Sequence, residues 1–93
     1  FQPHHFARLE KFFDDFVRVL RRADSLFTVP VFAAWTESGK VDSNMLAGEC
    51  GGIYVSGSRQ ETAEKVLVPP EDGRKLLIAV LGAGDIEEII PYL

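Results

Sequence analysis

The segment KLLIAVL, residues 75–81, constrains the fold of this 93-residue chain more than any other feature. Six of its seven residues are apolar, and they do not alternate with polar ones. A strand with this pattern is typical of a parallel sheet that is covered on both faces, because neither face meets water. The segment therefore predicts a buried strand in an α/β fold.

Helical and extended patterns alternate along the rest of the chain. Apolar spacing and capping residues predict helices at residues 6–22, 42–50, 59–68 and 85–91. Residues 26–32 and 53–55 are rich in β-branched and aromatic side chains and predict two further strands. Strands that alternate with helices imply a parallel sheet with right-handed crossovers.

The opening residues have little room for a strand of their own. Only Phe1 and Gln2 precede the turn at Pro3, and this pair resembles the tail end of another strand. Three predicted strands and this short extended pair would make an unusually small sheet. The opening stretch therefore suggests a cut through a domain.

Composition excludes several classes of function. The net charge of -4 and the pI near 5.0 argue against general nucleic-acid binding, which needs a basic surface. The single cysteine, Cys50, excludes an internal disulfide framework and a multi-cysteine zinc site. No apolar run approaches the roughly 20 residues that cross a bilayer, so no membrane partner is expected.

His4 and His5 are the first candidates for a functional site. Adjacent side chains point in different directions and make a poor metal site, so no metal is expected here. In parallel α/β sheets, ligands bind beyond the carboxyl ends of strands, and His4 lies between a strand end and a helix start. Arg8 is one turn further along and can face the same side. Capping for His4 and a solvated role for Arg8 remain open alternatives.

The sequence GAGD at residues 82–85 follows the apolar segment and opens a helix. Glycines at such a place permit a tight turn and close approach of a ligand. The dinucleotide pattern GxGxxG is incomplete, because Glu87 stands at its third glycine. Asp85 and Glu88 have the spacing of a helix-capping pair, and this structural interpretation is favoured. Trp35, in a predicted loop, could pack on a neighbour or a ligand.

Several of these motifs together resemble the carboxy-terminal domain of the Mur ligase family, in the branch that attaches L-alanine to UDP-N-acetylmuramate. The similar segments, in order, are FQPH with Phe6 and Arg8, FFDDF at residues 12–16, Ala23-Asp24, Asp42-Ser43, and GAGD at residues 82–85. The sequence departs from the family where His5 replaces a usual Arg and Ala7 a usual Ser or Thr. The resemblance extends over nearly the whole chain.

The resemblance implies a Rossmann-like three-layer α/β sandwich with a mostly parallel sheet, incomplete at its amino-terminal side. Residues 1–93 would be a partial carboxy-terminal domain that lacks its first strand and helix. Such a domain closes over the active site as a lid, and its substrate-binding candidates here are His4, His5 and Arg8. Catalytic residues are not expected within the chain.

The resemblance also implies an ATP-dependent amide ligase of the bacterial cytoplasm. The expected partners are UDP-N-acetylmuramate, L-alanine and the central and amino-terminal domains of the same chain. ATP and Mg²⁺ would be bound by the central domain, so this chain alone is expected to bind neither and to be inactive. Two alternatives remain: a stand-alone, non-catalytic Rossmann-like interaction or regulatory module, and an unrelated nucleotide-binding domain of flavodoxin type.

Overall fold

The computed structural model describes residues 1–33 and 38–93. Within them, four α-helices, one 3-10 helix and a two-stranded parallel sheet form an α/β structure with a radius of gyration of 13.2 Å. The helices are α1 (Phe6–Lys11), α2 (Phe13–Leu20), α3 (Ser43–Cys50), α4 (Arg59–Val66) and the 3-10 helix η1 (Ile86–Tyr92). The strands are β1 (Phe27–Thr28) and β2 (Ile53–Tyr54).

The helix predicted at residues 6–22 is divided into α1 and α2 by Phe12. The backbone of Phe12 has φ -109° and ψ 18°, outside the helical range. The hydrogen-bond ladder nevertheless continues, since Phe12 N donates to Arg8 O at 3.1 Å and Phe16 N donates to Phe12 O at 2.9 Å. The two helices are therefore one continuous helical unit that bends at Phe12 and has one apolar face.

The predicted helix start at Asp42 for α3 and the predicted turn at Ser58 into α4 are confirmed, and both residues are caps. The Asp42 carboxylate accepts a hydrogen bond from Met45 N at 2.9 Å, and the Ser58 hydroxyl accepts one from Glu61 N at 3.2 Å. Gly51 ends α3 in the left-handed conformation, with φ 68°, which glycine adopts without steric cost. The Asp42 and Ser58 side chains and the backbone of Gly51 therefore determine these three helix ends.

The sheet is smaller than predicted. Phe27 pairs with Ile53 and Thr28 with Tyr54 in parallel. The predicted strand at residues 26–32 is regular only at Phe27–Thr28 and has a single further bridge at Phe32. Pro30 interrupts it, because proline cannot donate to a ladder.

Residues 1–4 form an extended segment between two others. Gln2 bridges Gly82 and His4 bridges Phe32, both in parallel. The interpretation of the opening residues as a strand end is therefore consistent with their pairing.

The prediction of a buried strand at residues 75–81 is wrong for this structure. The segment forms no ladder, and the Leu77 side chain is 93% exposed. Its one backbone bond to residues 1–4 is at its end, where Leu81 O accepts from Gln2 N at 2.9 Å. A strand is stabilised by backbone hydrogen bonds to a neighbouring strand along its whole length. Between residues 75–81 and β1, only residues 1 and 2 are in place to form such bonds. The observed structure is thus α/β with a two-stranded sheet, rather than a complete three-layer sandwich.

The apolar core centres on α1, α2 and α3. Leu9, Leu20 and Leu46 are its buried members, and Phe1, Phe16 and Leu26 pack against them. A second contact joins α4 to η1, where Ala63, Ile86 and Ile89 are buried. None of the helices in the described part of the chain has the length and apolar character needed to cross a membrane.

Candidate functional site

A cavity of about 270 Å³ lies where the extended segments end. We call it the carboxyl-edge cavity. It is lined by Gln2, Pro30, Val31, Phe32, Ala33, Gly57, Arg59 and Asp85. The first of these belongs to the opening segment, the next four follow β1, Gly57 follows β2, and Asp85 follows the glycine turn. The cavity is therefore at the edge where the sequence predicted that ligands would bind.

Three polar side chains form a network on one side of this cavity. Gln2 Nε2 donates to Asp85 Oδ1 at 2.8 Å, and the Arg59 guanidinium donates to the same oxygen. Gln2 Oε1 accepts from Ile86 N at 3.1 Å. Because Gln2 is only 4% exposed and both ends of its amide are bonded, its orientation is fixed.

The predicted capping role of Asp85 is wrong. The Asp85 carboxylate makes no cap bond to η1, and the amide oxygen of Gln2 accepts the first N–H of that helix instead. The carboxylate is held by the Arg59 guanidinium, because a charge-assisted bond to arginine is stronger than one to a neutral N–H. The backbone N–H of Glu88 donates to Asp85 O at 3.0 Å within this turn.

The glycines of the turn make room for protein atoms. A Cβ on Gly84 would lie 2.3 Å from Phe32 Cγ and 2.6 Å from Gln2 Oε1. A Cβ on Gly82 would lie 2.9 Å from Ile86 Cγ2. The space that these glycines leave is therefore occupied by Gln2, Phe32 and Ile86, and not by a ligand as the glycine pattern permitted.

Among the described residues, those that line the carboxyl-edge cavity do not include the predicted substrate-binding residues His4, His5 and Arg8. The half-buried His4 ring stacks on Phe32, with 5.5 Å between ring centroids and an angle of 21°. His5 and Arg8 are exposed, and His5 has a positive φ of 65°. His4 is thus separated from the cavity by one aromatic ring. The roles of His4, His5 and Arg8 remain predictions.

Among the described residues, two groups outside the cavity have shifted pKa values. Burial lowers the pKa of the Phe1 ammonium below its ordinary value of 8.0, and its nitrogen donates to Phe27 O at 2.7 Å. Burial raises the pKa of the Cys50 thiol, against a smaller opposing effect of Arg21. The thiol form, which is the poorer nucleophile, is therefore favoured at Cys50.

The sequence interpretation missed Arg59 and the clamp made by Gln2. Arg59 is the first residue of α4, where a positive charge opposes the helix dipole. That unfavourable position was a signal that Arg59 has an acidic partner. The partner, Asp85, lies 26 residues away, which the sequence does not indicate. Trp35, the other candidate, lies outside the described residues.

Known proteins resemble this chain over nearly its whole length. It is 34% identical over 89 residues to the UDP-N-acetylmuramate–L-alanine ligase of Limosilactobacillus reuteri, covering 95% of this chain and 19% of that protein. The ligase of the same name from Nitrosomonas eutropha is 31% identical over 101 residues, covering 100% of the chain and 20% of that protein.

A third relative is covered to the same extent as the first. The UDP-N-acetylmuramate–L-alanine ligase of Aquifex aeolicus is 33% identical over 89 residues, covering 95% of the chain and 19% of that protein. The chain therefore spans about a fifth of the length of these relatives. No family model and no solved structure matches it.

Proposed function

Since this chain is homologous, over nearly its whole length, to a fifth of the UDP-N-acetylmuramate–L-alanine ligases of the Mur ligase family, we propose that it is a lid domain of such a ligase. The proposed whole enzyme uses ATP to join L-alanine to UDP-N-acetylmuramate during peptidoglycan precursor synthesis in the bacterial cytoplasm. The homology is the observation that carries this proposal. On this proposal the chain is the carboxy-terminal part, a Rossmann-like unit whose sheet is incomplete on its amino-terminal side.

The described residues at the carboxyl-edge cavity do not form a complete nucleotide site. The described residues contain no group of three His, Cys, Asp or Glu side chains that could hold Mg²⁺. The carboxyl-edge cavity, at about 270 Å³, is smaller than the roughly 300–1,000 Å³ of ordinary ligand pockets. We assign ATP and Mg²⁺ to other parts of the proposed enzyme, so that this chain supplies one side of a shared cleft.

In the family, ATP converts the substrate carboxylate into an acyl phosphate, and the amino group of L-alanine then displaces phosphate. The contribution proposed for this chain is electrostatic and steric. His4 and Arg8 are proposed to face the carboxyl edge, where a cation can bind the negatively charged groups of substrate and nucleotide. Closure of this domain over the active site excludes water, which would otherwise hydrolyse an acyl phosphate.

The proposal is tested by grafting. Residues 1–93 replace the homologous fifth of the Aquifex aeolicus ligase, and phosphate release is measured with ATP, UDP-N-acetylmuramate and L-alanine. The 93-residue chain alone is expected to release no phosphate above a blank. The folded chimera is expected to release phosphate only when all three substrates are present.

Two results would contradict the proposal. Turnover by the isolated chain would show a self-sufficient site. A chimera that unfolds cooperatively, binds UDP-N-acetylmuramate and yet has no activity would favour the non-catalytic interaction module. Thermal unfolding and a binding measurement on the same chimera therefore distinguish a failed graft from a failed hypothesis.

A further inference from the structure

Phe32 lies between the carboxyl-edge cavity and the imidazole of His4. Its side chain lines the cavity, and its ring stacks on His4 with 5.5 Å between centroids and an angle of 21° between planes. Offset, nearly parallel rings are a preferred arrangement of aromatic pairs. Because Phe32 is 40% exposed, packing into the apolar core does not account for an aromatic ring at this position.

The backbone sets the two rings side by side. His4 and Phe32 form a parallel bridge, in which Phe32 N donates to Pro3 O at 2.8 Å and Phe32 O accepts from His5 N at 3.0 Å. Paired residues of neighbouring strands project their side chains to the same face of a sheet. The stacking of Phe32 on His4 therefore follows from the register of these two segments.

The glycine turn supports the Phe32 side chain. A Cβ on Gly84 would lie 2.3 Å from Phe32 Cγ and 2.6 Å from Phe32 Cβ, so this side chain lies against the backbone of Gly84. A side chain packed against backbone atoms cannot change rotamer unless its neighbours move. The His4 imidazole has a second neighbour, since the His5 ring lies 4.0 Å from it, centroid to centroid. These contacts together restrict the orientation of the His4 ring.

We propose that Phe32 is a positioning residue whose ring, supported by Gly84, holds the His4 imidazole in the orientation that it needs toward the substrates. The part of this inference that concerns the substrates rests on the proposed function, whereas the contact between the two rings does not. A small misplacement of a group that contacts substrate lowers the rate strongly, because the reaction depends on geometry. An imidazole that is held before a ligand arrives also loses less rotational freedom on binding.

The first experiment is NMR spectroscopy of the 93-residue chain. Nuclear Overhauser contacts between the ring protons of Phe32 and His4 are expected in the unsubstituted chain. Phe32→Leu removes the aromatic ring current at His4, so the His4 ring protons are expected to shift, whereas Phe32→Tyr keeps the ring and should leave them nearly in place. Phe12→Leu is the matched control, because Phe12 is 41% exposed and lies at the opposite end of α1 from His5.

Two results of this experiment would overturn the proposal. The first is the absence of an Overhauser contact between the assigned rings of Phe32 and His4, which needs no variant and is decisive even if Phe32→Leu unfolds. The second is a folded Phe32→Leu chain in which the His4 ring protons shift no more than they do in Phe12→Leu.

The second experiment measures kcat/KM for L-alanine in the Aquifex aeolicus chimera that carries residues 1–93. Phe32→Leu is expected to lower kcat/KM at least about fivefold, and Phe32→Tyr to keep the parental value. In a chimera that already carries His4→Ala, Phe32→Leu should cause no further loss, because Phe32 acts through His4.

The kinetic outcomes separate this inference from the proposed function. Parental kinetics in Phe32→Leu, or a loss that adds to the loss of His4→Ala, would overturn the positioning role. A folded chimera that is inactive before any substitution would instead contradict the proposed function, and the NMR result would still decide whether Phe32 orients His4.

Discussion

The side chain of Gln2 joins two parts of the chain that are 83 residues apart in sequence. Its amide bonds to the Asp85 carboxylate and to the first N–H of η1, and so attaches the glycine turn to the opening segment. Replacement of Gln2 by alanine removes both bonds and leaves Ile86 N without this acceptor. A buried donor or acceptor without a partner costs about 1–3 kcal/mol.

We therefore expect Gln2→Ala to lower the free energy of unfolding by about 2 kcal/mol, measured by urea denaturation. Gln60, an exposed residue of α4, offers a matched control. Gln60→Ala should change stability by less than about 0.5 kcal/mol. Equal losses in the free energy of unfolding for the two variants would show that the hydrogen bonds of the Gln2 side chain make no specific contribution.

Gly84 and Gly48 offer a second matched pair at the scale of single residues. A Cβ on Gly84 would overlap Phe32 and Gln2, whereas a Cβ on Gly48, inside α3, meets nothing within 4 Å. We expect Gly84→Ala to destabilise the chain by about 1–3 kcal/mol, because added atoms strain a closely packed site. Gly48→Ala should stabilise it by about 0.5–1 kcal/mol, because alanine favours the helix. Thermal unfolding that shifts in the same direction for both would contradict the described packing.

At the scale of elements, Arg21 connects α2 to the end of α3. Its Nε and Nη2 atoms donate to Glu49 O at 3.1 and 2.8 Å, where helix carbonyls are short of partners and the dipole is negative. Arg21→Met should lower the free energy of unfolding by about 0.5–1 kcal/mol, measured by urea denaturation, with a smaller loss in high salt. Arg22→Met, at the neighbouring exposed arginine, is the control. An equal loss at Arg22 would mean that general charge, not the cap, is responsible.

The elements also show how far the sequence predicts the fold. Asp42, Gly51 and Ser58 each determine a helix end through a hydrogen bond or a backbone conformation within three residues of the cap. The structure has helix ends at these positions. Residues 75–81 have the composition of a buried strand, but a strand forms only with partners that are distant in sequence. The pairing of Gln2 and Arg59 with Asp85 is distant in the same way. The carboxyl-edge cavity lies at the strand ends, where the sequence predicted a ligand site, but its bonded network was not predictable, and the roles of His4, His5 and Arg8 stay predictions.

At the scale of the whole molecule, the Phe1 amino group makes stability depend on pH. A lowered pKa means that the folded chain binds fewer protons at this group than the unfolded chain does. The neutral amine therefore makes its full contribution to the free energy of unfolding above pH 8, the ordinary pKa. That contribution is lost as the pH falls through the lower pKa of the folded state.

We expect N-terminal acetylation to remove this dependence. Urea unfolding between pH 5.5 and 8.5 should show the acetylated chain gaining most over the free amine at the acidic end, with the difference closing towards pH 8.5. Both proteins carry Cys50→Ala, because the thiol has a raised pKa and would add an opposite slope at high pH. Parallel stability curves for the two proteins would show that the Phe1 nitrogen is not buried.

As proposed, this chain closes over the ligase cleft with His4 and Arg8 on the side of the substrates. The most direct test of this arrangement is kcat/KM for L-alanine in the Aquifex aeolicus chimera that carries residues 1–93. His4→Ala and Arg8→Ala should each lower kcat/KM at least about tenfold, or about 1.4 kcal/mol of transition-state stabilisation. Lys11→Ala, three residues beyond Arg8 in α1, should leave it nearly unchanged. Parental kinetics in both His4→Ala and Arg8→Ala, with thermal unfolding unchanged, would contradict the claim.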